Sequence, residues 1–250
     1  MIVFHTDLDN TMIYSYKHEL GTDKKCVEVY QGREISFVTF KTYELLKRVQ
    51  DKVLFVPTTT RTVDQYNRID LGIGIPKYAL TCNGGVLLVD GVEDPYWYQE
   101  SLELVEVCQG ELKKAELLLE HDHNRAFEVR NIRELFIFTK CNFPEESIEK
   151  LRNQLDLALV DVFHNGIKVY VVPKKLSKGN AVRRFREKVN TTKVIVAGDS
   201  EFDLSMFTEA EIGLAPKELA QKYELPDNVT SFARDVVFSE CVLEYIMNME

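Results

Sequence analysis

The chain has 250 residues, with 31 Lys and Arg against 40 Asp and Glu, a formal charge of −9 at pH 7. At 45% hydrophobic and 28% charged residues it has the usage of an ordinary globular protein, which excludes fibrous and disordered classes. The acidic balance, with no block of Lys and Arg, argues against a nucleic-acid groove or an anionic membrane surface as partner, since both need a positive field; a small anionic substrate stays open because only the local field of a site matters.

Uninterrupted apolar runs such as 86–89, 157–160 and 194–197 are far shorter than the roughly 20 residues of a membrane helix. The first residues lack a basic region and place Asp7 where a signal peptide is apolar, so a cytoplasmic protein is expected. Cys26, Cys82, Cys108, Cys141 and Cys241 are odd in number, scattered and never in a C-x-x-C pair, which signals neither a disulfide framework nor a zinc site.

Residues 2–6 form a short apolar run ending in polar residues, the pattern of a buried strand whose C-terminal end meets a site. A hairpin signal follows at 27–30 and 35–38, around Gln31-Gly32-Arg33-Glu34, and reads as a flap near that site. Runs at 53–56, 78–81 and 194–197 repeat the strand pattern and end in Pro57-Thr58-Thr59-Thr60-Arg61, Cys82-Asn83-Gly84-Gly85 and Gly198-Asp199. Helical patterns at 43–49 and 180–189 separate them. Such alternation predicts an α/β fold with a doubly wound parallel sheet, whose ligand crevice lies beyond the carboxyl ends of the strands. Residues 86–170 break the rhythm: a helical pattern at 102–119 interrupted near Gly110, strands at 126–130 and 135–140, a helix entered through Pro144, and a hairpin over 157–172 turning at Asn165-Gly166. They read as an inserted α+β cap, with residues 1–85 and 171–250 as the core.

Two acidic constellations follow predicted strands. In Asp7-Leu8-Asp9-Asn10-Thr11 the carboxylates two apart point to one side of an extended backbone, and Gly198-Asp199-Ser200-Glu201-Phe202-Asp203 brings two more. The pentapeptide alone reads equally well as a solvated turn. Four carboxylates converging need a cation, and a hard divalent ion that keeps several waters, Mg²⁺ above all, suits a few carboxylates plus phosphate oxygens. Asp7, Asp9, Asp199 and Asp203 are thus the candidate metal ligands. Thr59 can donate a hydroxyl to a phosphate oxygen, and Lys178 of Leu176-Ser177-Lys178-Gly179-Asn180 offers a point cation at a helix start.

In these motifs the sequence resembles the haloacid dehalogenase superfamily of phosphotransferases: D-L-D-N-T at 7–11, T-T-R at 59–61 where relatives often show T-G-R, K-G at 178–179 and G-D-S-E-F-D at 198–203. The insert between the second and third motifs, and Asn83-Gly84 entering it, resemble the sugar-phosphatase branch of Cof-type and sucrose-phosphate phosphatases. The resemblance implies a Mg²⁺-dependent phosphatase acting on a small phosphorylated metabolite through an aspartyl-phosphate, with Asp7 as nucleophile, Asp9 as general acid/base, Thr59 and Lys178 on phosphate, and Arg61, Asn83 and Gly84 at the substrate side or cap hinge. A phosphomutase on the same core and a phosphate-ester-binding module without turnover are the alternatives; the sequence names no protein partner. Two departures stand out. Phe202 replaces an Asn beside the metal motif, and Thr60 replaces the Gly between Thr59 and Arg61. Arg125, Arg130, Arg133 and Lys140 are weaker candidates for the cap's substrate face, and Trp97 for stacking on a sugar. His121, Asp122, His123 and Asn124 read as the solvated end of a helix.

Overall fold

The computed structural model describes residues 1–233 and 237–249. In chain order the first unit carries β1 (Ile2–Thr6), β2 (Tyr14–Ser15), β3 (Lys24–Tyr30), β4 (Arg33–Thr39), α1 (Phe40–Val49), β5 (Leu54–Pro57), α2 (Val63–Tyr66), β6 (Tyr78–Thr81), β7 (Val86–Val89) and β8 (Val92–Glu93). A second unit, Pro95–Ser177, follows with α3 (Pro95–Val105), α4 (Gln109–Glu120), β9 (Arg130–Ile132), β10 (Phe136–Lys140), α5 (Pro144–Arg152), β11 (Val160–Asn165) and β12 (Lys168–Pro173). The chain then rejoins the first unit with α6 (Lys178–Val189), β13 (Lys193–Ala197), α7 (Leu204–Phe207), β14 (Ile212–Pro216), α8 (Lys217–Lys222), β15 (Val229–Phe232) and α9 (Phe238–Met247).

The first unit is built on a parallel sheet of order β15-β14-β13-β1-β5. Its central strands are apolar on both faces, as buried parallel strands are: Val3, Phe4, Val194, Ile195 and Val196 are all closed to water. The register pairs Thr6 with Ala197 and with Pro57, so β1, β13 and β5 end side by side and the next residues of each, Asp7, Gly198 and Thr58, leave one edge of the sheet together. The α/β fold with its parallel sheet is therefore as expected from the strand–helix alternation. The β3–β4 hairpin turns through Gln31 and Gly32, both with positive φ, and β2 extends it.

The second unit has an antiparallel sheet, β11-β12-β10-β9, whose one face packs Ile137, Val162, Val169 and Val171 against Leu112, Ala115 and Leu119 of α4 and Ile148 and Leu151 of α5. This is the α+β insert anticipated. Its edges differ from the sequence reading. Val86–Val89 pairs antiparallel with β6 and so stays with the first unit, which runs to Asp94 rather than 85, and the return falls at Lys178 rather than 171. A strand expected at 126–130 is displaced to Arg130–Ile132, because the Thr139 hydroxyl donates to the carbonyls of Phe127 and Glu128 where a ladder would otherwise run. Trp97 is buried in α3 and is a packing residue. All five cysteines are thiols, and among the described residues no helix is long and apolar enough to cross a membrane.

Candidate active site

The strand ends gather the acidic motifs because the sheet register requires it. Asp7 follows β1 directly, its amide donating to the Ala197 carbonyl of β13 at 2.9 Å, and its side chain is buried. The chain then turns sharply. The Leu8 carbonyl accepts from the amides of Thr11, Met12 and Ile13, and Asn10 takes φ 61°, a left-handed conformation that Asn tolerates. The Asp9 carboxylate, 51% exposed, meets Arg61, whose Nη2 and Nε donate to its Oδ1 and Oδ2 at 2.7 and 2.8 Å.

After β13 the chain passes Gly198, where a Cβ would stand 2.3 Å from the Asp203 Cβ; only glycine lets that side chain come so close. Ser200 and Asp203 form a capping box over the turn Glu201–Asp203. Asp203 Oδ2 accepts from the amides of Asp199 and Ser200 and from the Ser200 hydroxyl, while its Oδ1 accepts from Lys178. The Thr11 hydroxyl donates to Asp199 Oδ1 at 3.2 Å, tying the two acidic loops together.

Lys178 opens α6 and is buried. Its Nζ donates to Asp7 Oδ1 at 2.5 Å and Asp203 Oδ1 at 2.6 Å. It is held there by Gly179, where a Cβ would stand 2.0 Å from the Ser205 carbonyl oxygen; the close approach of α6 to the start of α7 depends on its absence. Burial works against the Lys178 ammonium, but the carboxylates of Asp203 and Asp7 outweigh it and raise its pKa. One ammonium faces two buried carboxylates and the half-buried Asp199. Burial accordingly pushes the Asp7 carboxyl up to about 7 despite Lys178, with Asp203 and Asp9 adding repulsion. Asp199 is raised well above the usual carboxylate range by burial and by its neighbours Asp7 and Asp203.

Asp7, Asp199 and Asp203 each offer an oxygen within 4.8 Å of the others, and they form the one group of this kind among the described residues. A hard all-oxygen donor set with excess buried negative charge fits a divalent cation such as Mg²⁺. Both oxygens of Asp203 are engaged with protein donors, so it also orients the loop and the lysine. The Asp9 side chain lies outside this group, on Arg61, although the sequence reading counts it a ligand.

The threonine run resolves into distinct environments. Thr58 is turned inward, its Oγ1 2.9 Å from His5 Nδ1. His5 is kept neutral, its pKa lowered to about 3 by burial and by Arg186. The Thr59 hydroxyl accepts the Arg61 amide at 3.2 Å, and the segment around it is latched to the loop after β6: Thr59 to the Leu80 carbonyl, Cys82 to the Arg61 carbonyl and Asn83 to the Thr59 carbonyl. Cys82 and Asn83 both have left-handed φ, 52° and 59°, and Gly84 follows at 86°. Strained backbone of this sort concentrates at functional sites. Sequence reasoning overlooked Thr11, His5 and Glu28, the last of which accepts from Arg61 Nη1 at 2.8 Å.

A parallel-sheet core gathers a D-L-D-N-T motif, a buried lysine and a G-D-x-x-x-D loop at its strand ends. The chain belongs to the haloacid dehalogenase-like hydrolase family, whose sequence profile matches residues 93–222. Solved structures share the fold at low identity. The sucrose-phosphatase of Synechocystis sp. PCC6803, solved with sucrose and phosphate, has TM-score 0.66 and 17% identity, with 98% of this chain and 96% of that one covered. A haloacid dehalogenase-like hydrolase of B. subtilis has TM-score 0.61 and 16% identity over all of both chains. A phosphatase of the same superfamily from Bacteroides thetaiotaomicron has TM-score 0.59 and 17% identity, covering 100% of this chain and 96% of that one. No curated protein matches the sequence.

Proposed function

We propose that the chain is a Mg²⁺-dependent phosphatase acting on a small phosphorylated metabolite. The observation that carries the reading is the set of Asp7, Asp199 and Asp203 around the buried Lys178 at the ends of β1 and β13, with Asp9 two residues beyond the nucleophile. Asp7 Oδ attacks phosphorus in line, the P–O bond to the alcohol breaks, and an aspartyl-phosphate forms. Asp9 delivers a proton to the departing alkoxide and then takes one from the water that attacks the phosphoenzyme, releasing inorganic phosphate. Lys178 and the Thr59 hydroxyl hold the transferring phosphoryl oxygens and stabilise their charge. Asp7 and Asp199, with Asp203 in support, would hold Mg²⁺, which when bound offsets the repulsion between the carboxylate and the phosphate.

These motifs address the phosphate alone, so choice among alcohols falls to the inserted unit. Its sheet supports that role with an aromatic row on the face opposite its own core: Phe127, Phe138, Tyr170 and Phe163 stand in succession with centroids 5.2–6.2 Å apart, flanked by Arg130 and Lys140 over Phe127. Arg133 instead lies over Tyr98. Aromatic faces suit the apolar side of a sugar ring, and the fold shared with a sucrose-phosphatase makes sugar phosphates the first class to screen. The test is release of inorganic phosphate from p-nitrophenyl phosphate and a panel of sugar phosphates, with and without Mg²⁺. Metal-dependent turnover that disappears in Asp7→Asn supports the reading. Binding of the esters without turnover points to a sensing module, and isomer exchange without free phosphate points to a mutase.

A further inference from the structure

We propose that Glu28, on the β3–β4 hairpin, is a positioning residue for the general acid/base, acting through Arg61 to fix how the Asp9 carboxylate is presented; this rests on the reading of Asp9 above. An exposed hairpin strand should alternate buried and solvated side chains, yet consecutive Val27 and Glu28 are both buried, at 3% and 1% exposure. The pairing with β4 explains it. Cys26 faces Phe37 and Glu28 faces Ser36, so Val27 is skipped; Val29 then faces Glu34, so Ile35 is skipped. Irregularities of this kind re-aim a side chain, and here they turn a carboxylate inward.

Everything around that carboxylate is a donor. Ser36 Oγ donates to Oε2 at 2.6 Å, Arg61 Nη1 to the same oxygen at 2.8 Å, and Arg68 Nε to Oε1 at 3.1 Å. The opposite edge of the Arg61 guanidinium forks onto Asp9. Because the guanidinium is planar and rigid, anchoring Nη1 at the buried end sets the plane in which Nε and Nη2 meet Asp9. The charges alternate along the row Arg68, Glu28, Arg61, Asp9, closed to water at Glu28 and open at Asp9. A buried ion pair is a weak device for stability alone. A row that ends on a half-exposed carboxylate two residues from the nucleophile holds that carboxylate's direction instead.

The test compares Glu28→Gln and Ser36→Ala with the wild type on p-nitrophenyl phosphate and glycerol phosphate. Loss of positioning should lower kcat on glycerol phosphate, whose alkoxide needs the proton, roughly tenfold or more, with KM unchanged and with a much smaller effect on p-nitrophenyl phosphate. Ser36→Ala should show the same pattern at smaller size, and it decides the matter if Glu28→Gln does not fold. Glu28→Asp should restore part of the lost kcat. Equal losses on both esters, or a change confined to KM, overturn the assignment and leave Glu28 a structural residue. A wild type that hydrolyses neither ester defeats the reading of Asp9 itself, and this assignment with it.

Discussion

Lys178 Nζ lies 2.5 Å from Asp7 Oδ1, and both side chains are all but closed to water. The pair joins the first acidic motif to the start of α6 and leaves the site two negative charges in excess once Asp199 and Asp203 are counted.

Replacing Asp7, the proposed nucleophile, should stop chemistry and spare the fold. Asp7→Asn removes one of three crowded carboxylates and keeps the shape, so melting temperature should hold or rise while kcat falls by roughly 10⁴-fold or more, the scale seen when an enzyme's nucleophile is lost. Phosphate release and thermal denaturation on the same preparation check both halves. A variant that turns over at a near-normal rate removes Asp7 from the mechanism.

Lys178→Ala leaves the acids without their internal cation, and breaking a buried ion pair from one side costs about 3–5 kcal/mol. Urea denaturation should show that loss, and Mg²⁺ should recover part of it. Stability equal to wild type in the absence of metal would mean that the lysine is not the counter-charge of the cluster.

The raised carboxyl of Asp7 makes stability depend on pH. Its folded value near 7 exceeds the ordinary 3.8, so the stabilisation it contributes is complete below the unfolded value and is lost as pH rises through about 7. A cation among the carboxylates displaces the same proton. Mg²⁺ should therefore bind more tightly, and raise the melting temperature more, at about pH 8 than at about pH 6. Equal shifts at both would contradict the charge state argued for the cluster.

Gly179→Ala tests the seat of α6. The added methyl would meet the Ser205 carbonyl oxygen, a backbone atom that cannot swing aside. Overpacking of this kind costs about 1–3 kcal/mol, and because the helix that must shift carries Lys178, kcat/KM should fall along with stability. An unaffected enzyme would show that α6 has slack at its first turn.

Much of the site was legible because strands ending in polar motifs announce where a parallel sheet gathers its chemistry. Asp7, Lys178, Asp199 and Asp203 all come from such ends or from a helix start. The place of Asp9 outside the acidic group was not legible, because its carboxylate is taken up by Arg61, 52 residues away, and no local pattern announces that pairing. Glu28 was invisible for a related reason: it lies in a hairpin whose period-two pattern says nothing about a bulge, and its partners Arg61 and Arg68 are 33 and 40 residues away. The edge of the insert was misplaced because Val86–Val89 reads as strand wherever it pairs; only its hydrogen bonds to β6 assign it to the first unit.

The separation between Lys178 and Asp7, 171 residues along the chain, also bears on how the molecule is made. β1 finds one neighbour early, with Val3 beside Leu54, but its other flank waits for Lys193 to meet Ile2. During synthesis that edge stays open while the whole insert is translated, and the insert, whose core is drawn from residues 108–171, is able to collapse on local contacts first. Closure of the sheet and completion of the acidic cluster are then late and simultaneous events. A nascent chain halted inside the insert carries Asp7 with neither the lysine nor the second pair of acids to meet it, and an unpaired strand edge beside it.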